Sequence, residues 1–169
     1  FKGLQEAIIE LKPDSMMIEA IARFMKAKMK DWKESNMNMI KETINTLKVI
    51  VENCERIPKR ALFVCSAFLI DKVGDVKYAA NIKEVLMMMA DFVTAKFVAL
   101  QVTKQGTGQK AVNNLKEACI FLTSLLDEWG GAMMPIKECI DFASLLTQHN
   151  NVAVRNAGMG LFTMLYKHL

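Results

Sequence analysis

Catalysis and metal binding need histidines, thiols and carboxylates gathered at short, characteristic spacings, and this sequence offers few. Its four cysteines, Cys54, Cys65, Cys119 and Cys139, stand far apart with no CxxC pair, and its only histidines are His149 and His168. A zinc site is not expected from such a set. The thiols read as partly buried side chains in a reducing compartment. No GxSxG, HExxH or Walker pattern occurs. Gly106-Thr107-Gly108 has no strand signal before it and no GK[ST] after it, so it reads as a turn between helices. No pair of carboxylates stands beside a histidine or cysteine partner. The sequence is therefore read as that of a binding module, not an enzyme, with no cofactor and no small-molecule substrate.

What remains is the chemistry of charge. The formal net charge is +4, a modest excess that permits an acidic partner. Nucleic-acid binders show denser clusters of lysine and arginine, so no nucleic-acid partner is expected. The bases that draw notice are Lys33, Lys72, Lys77, Lys104, Lys110 and Arg155, each beside a break in the hydrophobic pattern. Trp32 stands among them, between Asp31 and Lys33. A tryptophan there either staples the entry of the following helix or stands out as an interface anchor, and both readings stay open. Trp129 falls on an apolar stripe and reads as core. The consecutive Met87, Met88 and Met89 point around a helix and read as adaptable filler.

Helices must position these residues. Met37, Ile40, Ile44, Leu47 and Val51 recur at steps of three and four, as do Leu115, Ala118, Leu122, Leu125 and Trp129, and Ala79, Ile82, Leu86 and Met89 form a third stripe. That spacing buries one helical face and leaves the other wet. With 52% hydrophobic residues, three prolines and almost no alternating pattern, the chain is predicted to be one all-α domain over 1–169. Its longest apolar run, Ala61–Ile70, is too short to cross a bilayer, and no membrane partner is expected.

One class of breaks falls at Pro13, Pro58, Thr94 and Pro135, at intervals of 45, 36 and 41 residues. The prolines suit a first helical turn, and Thr94 suits a cap. A second class lies between them, at 31–36, 71–75, 105–108 and 148–151. Alternating breaks with a period near 40 residues describe paired antiparallel helices of the HEAT kind, an α-solenoid. The expected helices are 1–11, 14–29, 33–54, 58–70, 76–92, 94–104, 109–130, 135–149 and 152–169. They make a partial first repeat, 1–12, and repeats 13–55, 56–93, 94–132 and 133–169, with both ends read as truncated. Each pair touches its neighbours, so the turns inside pairs fall along one edge. On this reading a base opens the second helix of every pair: Lys33, Lys77, Lys110 and Arg155. The segments 75–79 and 153–157 echo one another, with Val76 and Val154 expected to face the core.

Two of the within-pair turns, Asp31-Trp32-Lys33-Glu34-Ser35-Asn36 and Asp71-Lys72-Val73-Gly74-Asp75-Val76-Lys77, resemble turns of TOG domains in the ch-TOG/Minispindles family of microtubule polymerases. The likeness extends through Asn81-Ile82-Lys83-Glu84 and Val152-Ala153-Val154-Arg155, and is strongest to an internal, third TOG domain. The resemblance implies a flat paddle of HEAT repeats whose within-pair turns contact αβ-tubulin, in a protein of the cytoplasm and cytoskeleton, at the spindle and centrosome. Carried over by position, the contacts would be Trp32, Lys33, Lys72, Lys77, Lys104 and Arg155. The alternative from a different class is a general HEAT scaffold that holds another acidic protein or peptide.

Overall fold

The computed structural model describes residues 1–168, and among these there is no strand. The helices are α1 (Lys2–Leu11), α2 (Ser15–Lys28), α3 (Met37–Asn53), α4 (Lys59–Lys72), α5 (Ala79–Val93), α6 (Ala95–Thr107), α7 (Val112–Trp129), α8 (Ile136–Thr147) and α9 (Val152–His168), with a short 3-10 turn at Gly131–Met133. The chain is all-α, as expected.

The starts of α2, α3 and α6 are set by polar caps. Asp14 accepts a hydrogen bond from the Met17 N–H at 2.8 Å. Asn36 accepts from the N–H groups of Asn38 and Met39 at 3.0 and 3.3 Å, and Thr94 accepts from that of Phe97 at 3.3 Å. Each satisfies a donor that has no partner within its helix. The prolines lie just outside the first turn, where a place within it was expected. Pro58 and Pro135 are the residues before α4 and α8, and Pro13 precedes the Asp14 cap. Pro58 takes φ −74° and ψ 145°, the extended conformation its ring favours.

The second helices of the first three pairs start later than expected, at Met37, Ala79 and Val112. In the first turn, Lys30, Asp31 and Trp32 have φ of 50°, 55° and 70°, which no right-handed helix accommodates. In the second, Asp75 accepts from the Lys77 N–H at 2.9 Å and holds the chain in a side-chain turn until Tyr78.

The helices form two layers. α2, α4, α6 and α8 pack in succession on one side, and α1, α3, α5, α7 and α9 on the other. The seam between the layers is the core. Ile40, Ile44, Leu47 and Val51 of α3, Ile82, Leu86 and Met89 of α5, and Leu115, Ala118, Leu122 and Leu125 of α7 are all buried. Two expectations fail. Met37 is 58% exposed because it is the first residue of α3, before the stripe reaches the seam. Val76 is 92% exposed, whereas its echo Val154 is buried, because Val76 lies in the turn and Val154 lies within α9.

Ion pairs tie the second layer together. Lys48 of α3 pairs with Glu84 of α5 at 2.8 Å, Lys83 of α5 pairs with Glu117 of α7, and Lys167 of α9 lies 3.4 Å from Asp127 of α7. The hydrogen bond that the Lys48 ammonium donates to Glu84 is the chief reason it is held above its ordinary pKa.

Candidate protein-binding edge

The turn at 29–36 is built from inside. The Glu34 carboxylate pairs with the Lys30 ammonium at 2.8 Å and accepts from the N–H groups of Ser35 and Asn36, both at 2.9 Å. The Lys30 contact first, then the Asn36 N–H, holds the Glu34 carboxyl below the usual carboxylate range. The left-handed run at 30–32 throws the Trp32 ring across to the next helix pair. It stacks on Phe68 of α4 with centroids 4.9 Å apart and planes at 26°, and its Nε1–H donates to the Val64 carbonyl at 2.9 Å. The indole thus packs on α4, and not on the α3 that it precedes.

The turn at 72–78 is held by α7. The Asn114 side chain is buried. Its Oδ1 accepts from the Gly74 N–H at 2.9 Å, and its Nδ2 donates to the Asp71 carbonyl at 2.8 Å and to Gln109 Oε1 at 3.0 Å. Gly74 is required there, because a Cβ would lie 2.4 Å from Asn114 Oδ1 and 2.5 Å from the Asn113 backbone. One amide therefore links the second turn to the third.

The sequence-derived contacts separate into three groups. Trp32, Lys33 and Lys72 come together around one groove of about 460 Å³ that spans the first three turns, with Asp31, Glu34 and Asp71 also lining it. Lys72 is paired with Asp71 at 2.7 Å, while Lys33 is exposed. Lys77 is exposed at the tip of the second turn, its Nζ 3.6 Å from Met37 Sδ. The other two are directed elsewhere. Lys104 places its Nζ 5.9 Å from the centre of the Phe63 ring, toward the outer face of α4. Arg155 turns back on its own loop, its Nη1 donating to the carbonyls of His149 and Asn150 at 2.9 and 2.8 Å, the charge-assisted arrangement that suits the negative end of α8. Nor do the four bases open their helices in register. Lys33, Lys77 and Lys110 precede α3, α5 and α7, and only Arg155 lies within its helix.

This stack superposes on the Drosophila melanogaster Mini spindles TOG3 structure with a TM-score of 0.80, covering 96% of this chain and 72% of that one at 18% identity. The chain has the fold of a TOG domain. The resemblance seen in the turns at 31–36 and 71–77 is thus met by the architecture. In sequence the chain is 26% identical over 166 residues to the protein MOR1 of Arabidopsis thaliana and 26% identical over 137 residues to that of Oryza sativa subsp. japonica. Those alignments take in 98% and 80% of this chain but only 8% and 7% of the relatives, so the chain spans less than a tenth of their length. No protein-family model matches it.

On the TOG fold, the edge carries residues that the charge pattern did not single out. Met37, Val76 and Val152, exposed at 58%, 92% and 58%, stand at or just before the second helices of their pairs. Val76 is the sharpest of these: an apolar side chain in a turn, between Asp75 and Lys77. Its position between two charged residues after Gly74 is a turn signal, and it outweighs the echo that assigned Val76 to the core. Asn114 stands just before the α7 stripe and carries no signal of its own in the sequence. No group of three or more metal-ligating side chains is clustered among the described residues.

Proposed function

We propose that this chain is a non-enzymatic tubulin-binding module of a microtubule polymerase, whose within-pair edge contacts αβ-tubulin. In this reading the chain is one TOG domain over 1–169, with a partial repeat at 1–12 and repeats at 13–55, 56–93, 94–132 and 133–169. It works in the cytoplasm on the microtubule cytoskeleton, at the spindle and centrosome. It uses no cofactor, nucleic acid, membrane or small-molecule substrate. The observation that carries the reading is the second turn, where Val76 is exposed and the neighbouring Lys77 reaches Met37, on a stack with the TOG fold. An apolar tip flanked by a base suits a partner surface that is acidic around small apolar recesses.

The proposed contacts then divide by what they do. Lys33, Lys72 and Lys77 steer and orient an acidic surface, since exposed charges act on encounter and register more than on affinity. Val76 and Met37 lose water on contact. Trp32 and Arg155 hold the turns that present the others. Lys104 contributes from the margin.

The test is gel filtration and fluorescence anisotropy of this chain with αβ-tubulin. Val76→Asp should weaken binding about tenfold, the equivalent of losing one buried apolar contact. Lys72→Glu with Lys77→Glu should weaken it by an amount that shrinks as salt rises. Binding that is indifferent to both changes would refute the edge.

A further inference from the structure

The chain's net charge is concentrated in two neighbouring helices. α4 and α6 carry Lys59, Arg60, Lys72, Lys96 and Lys104 against the single acid Asp71, five bases to one acid, which equals the +4 of the whole chain. Asp71 is taken by Lys72. Among the described residues, Lys59, Arg60, Lys96 and Lys104 have no carboxylate within ion-pair distance. In the opposite layer, Lys48, Lys83 and Lys167 each have one on the next helix.

Two of these bases lie against aromatic rings of the same two helices. Phe63 of α4 is 55% exposed, with the Lys104 ammonium of α6 at 5.9 Å. Phe97 of α6 is half-buried, with the Lys59 ammonium of α4 at 5.5 Å. Each helix thus lends a lysine to the other's phenyl ring. Lys59, Arg60 and Lys96 also lie in the first turns of their helices, where the backbone dipole disfavours a base. An exposed phenyl costs solvation, and uncompensated bases at helix starts cost stability. Both costs are relieved by one kind of neighbour, an apolar side chain on a segment rich in carboxylates.

We infer that the outward face of α4 and α6, centred on Phe63 and sharing only Lys104 with the turn edge, is a second docking surface for an acidic amphipathic helix of another protein. The apolar side of that helix covers Phe63, and its carboxylates meet Lys59, Arg60, Lys96 and Lys104. Such a helix needs only apolar positions three and four residues apart with glutamate or aspartate between them, the ordinary requirement for a helix laid on a shallow groove.

The probe is a fluorescein-labelled peptide with leucines at that spacing and glutamates elsewhere. It is compared with a glutamine-for-glutamate version and with a scrambled peptide of equal charge. Anisotropy should show saturable binding of the first, at least tenfold tighter than either control. Phe63→Ser should abolish the preference over the scrambled peptide, and Lys59→Glu with Lys96→Glu the preference over the glutamine version. Melting curves should show both variants folded, because these side chains lie outside the core. Phe63→Ser should leave tubulin binding unchanged, which separates this face from the edge, and the peptide comparison stands by itself where the chain binds no tubulin. No binding, equal binding of the scrambled peptide, displacement by heparin alone to the same extent in wild type and Phe63→Ser, or loss of tubulin binding in Phe63→Ser would each overturn the inference.

Discussion

Replacing Trp32 with alanine distinguishes a residue that binds from one that builds. In the structure the ring stacks on Phe68 and its N–H donates to the Val64 carbonyl. Losing a hydrogen bond of that kind costs about 1 kcal/mol. The stacked pair is worth about 1 kcal/mol, and the half-buried apolar area of the ring adds about 1 kcal/mol more. The sum, about 3 kcal/mol, corresponds to a fall in melting temperature of about 6–12 °C for a chain of this size. Trp32→Phe keeps the stack and loses the hydrogen bond, so it should cost about 1 kcal/mol. Trp32→Gly removes the same contacts as alanine but relieves the backbone at φ 70°, recovering about 1 kcal/mol. Differential scanning calorimetry of the three variants should therefore rank phenylalanine, then glycine, then alanine in decreasing stability. Anisotropy with tubulin, measured well below the melting transition, should show less than about a twofold change for Trp32→Ala. An unchanged melting temperature together with a loss of about 30-fold in affinity, equivalent to about 2 kcal/mol, would refute this and restore the indole as an interface anchor.

Gly74→Ala should lower stability by about 2–3 kcal/mol in a urea titration, because its Cβ meets Asn114 Oδ1 and backbone that belongs to a packed helix. Cys65, Cys119 and Cys139 are buried thiols pushed up to about 12, and should resist a thiol reagent at about pH 8 until the chain is unfolded. Their folded values lie above the ordinary value of 9.0, so the unfolded chain gives up these protons first. The stability they contribute is complete below about pH 9 and should decline as pH rises toward 12, read as a falling melting temperature. Val76→Asp should weaken tubulin binding without moving the melting temperature, because the side chain is 92% exposed.

The periodic part of the fold was readable in the sequence because it is local physics. The α3, α5 and α7 stripes name buried residues by spacing alone, apart from the stripe ends Met37, Ala79 and Trp129, and Thr94 and the 31–36 turn mark helix ends by chemistry. Position in a turn was harder. Val76 and Val154 share a five-residue pattern, but three further residues of loop precede α5, and that shift moves Val76 from the seam to the edge. Long-range partners left no local trace. Nothing near Trp32 in sequence indicates Phe68, nothing near Lys104 indicates Phe63, and Asn114 is 40 residues from Gly74. Arg155 was recognised as a base at a turn, yet its chemistry is spent on two carbonyls that only the folded loop brings to it.

The edge also shows why some of its most conspicuous residues need not touch a partner. A row of loops recognises a rigid surface well only if the loops are rigid before contact, since ordering them on binding subtracts from affinity. Three fastenings in these turns supply that order. Trp32 fastens the first turn to α4, Asn114 joins the second turn to the third across Gly74, and Arg155 closes the fourth on its own carbonyls. Each of these side chains uses its polar groups inward. The residues left to face outward, Lys33, Val76 and Lys77, are short of partners and ordinary in type. On the proposed function, recognition resides in the spacing of the turns, and the residues that fix that spacing are the ones whose loss should cost stability first and binding second.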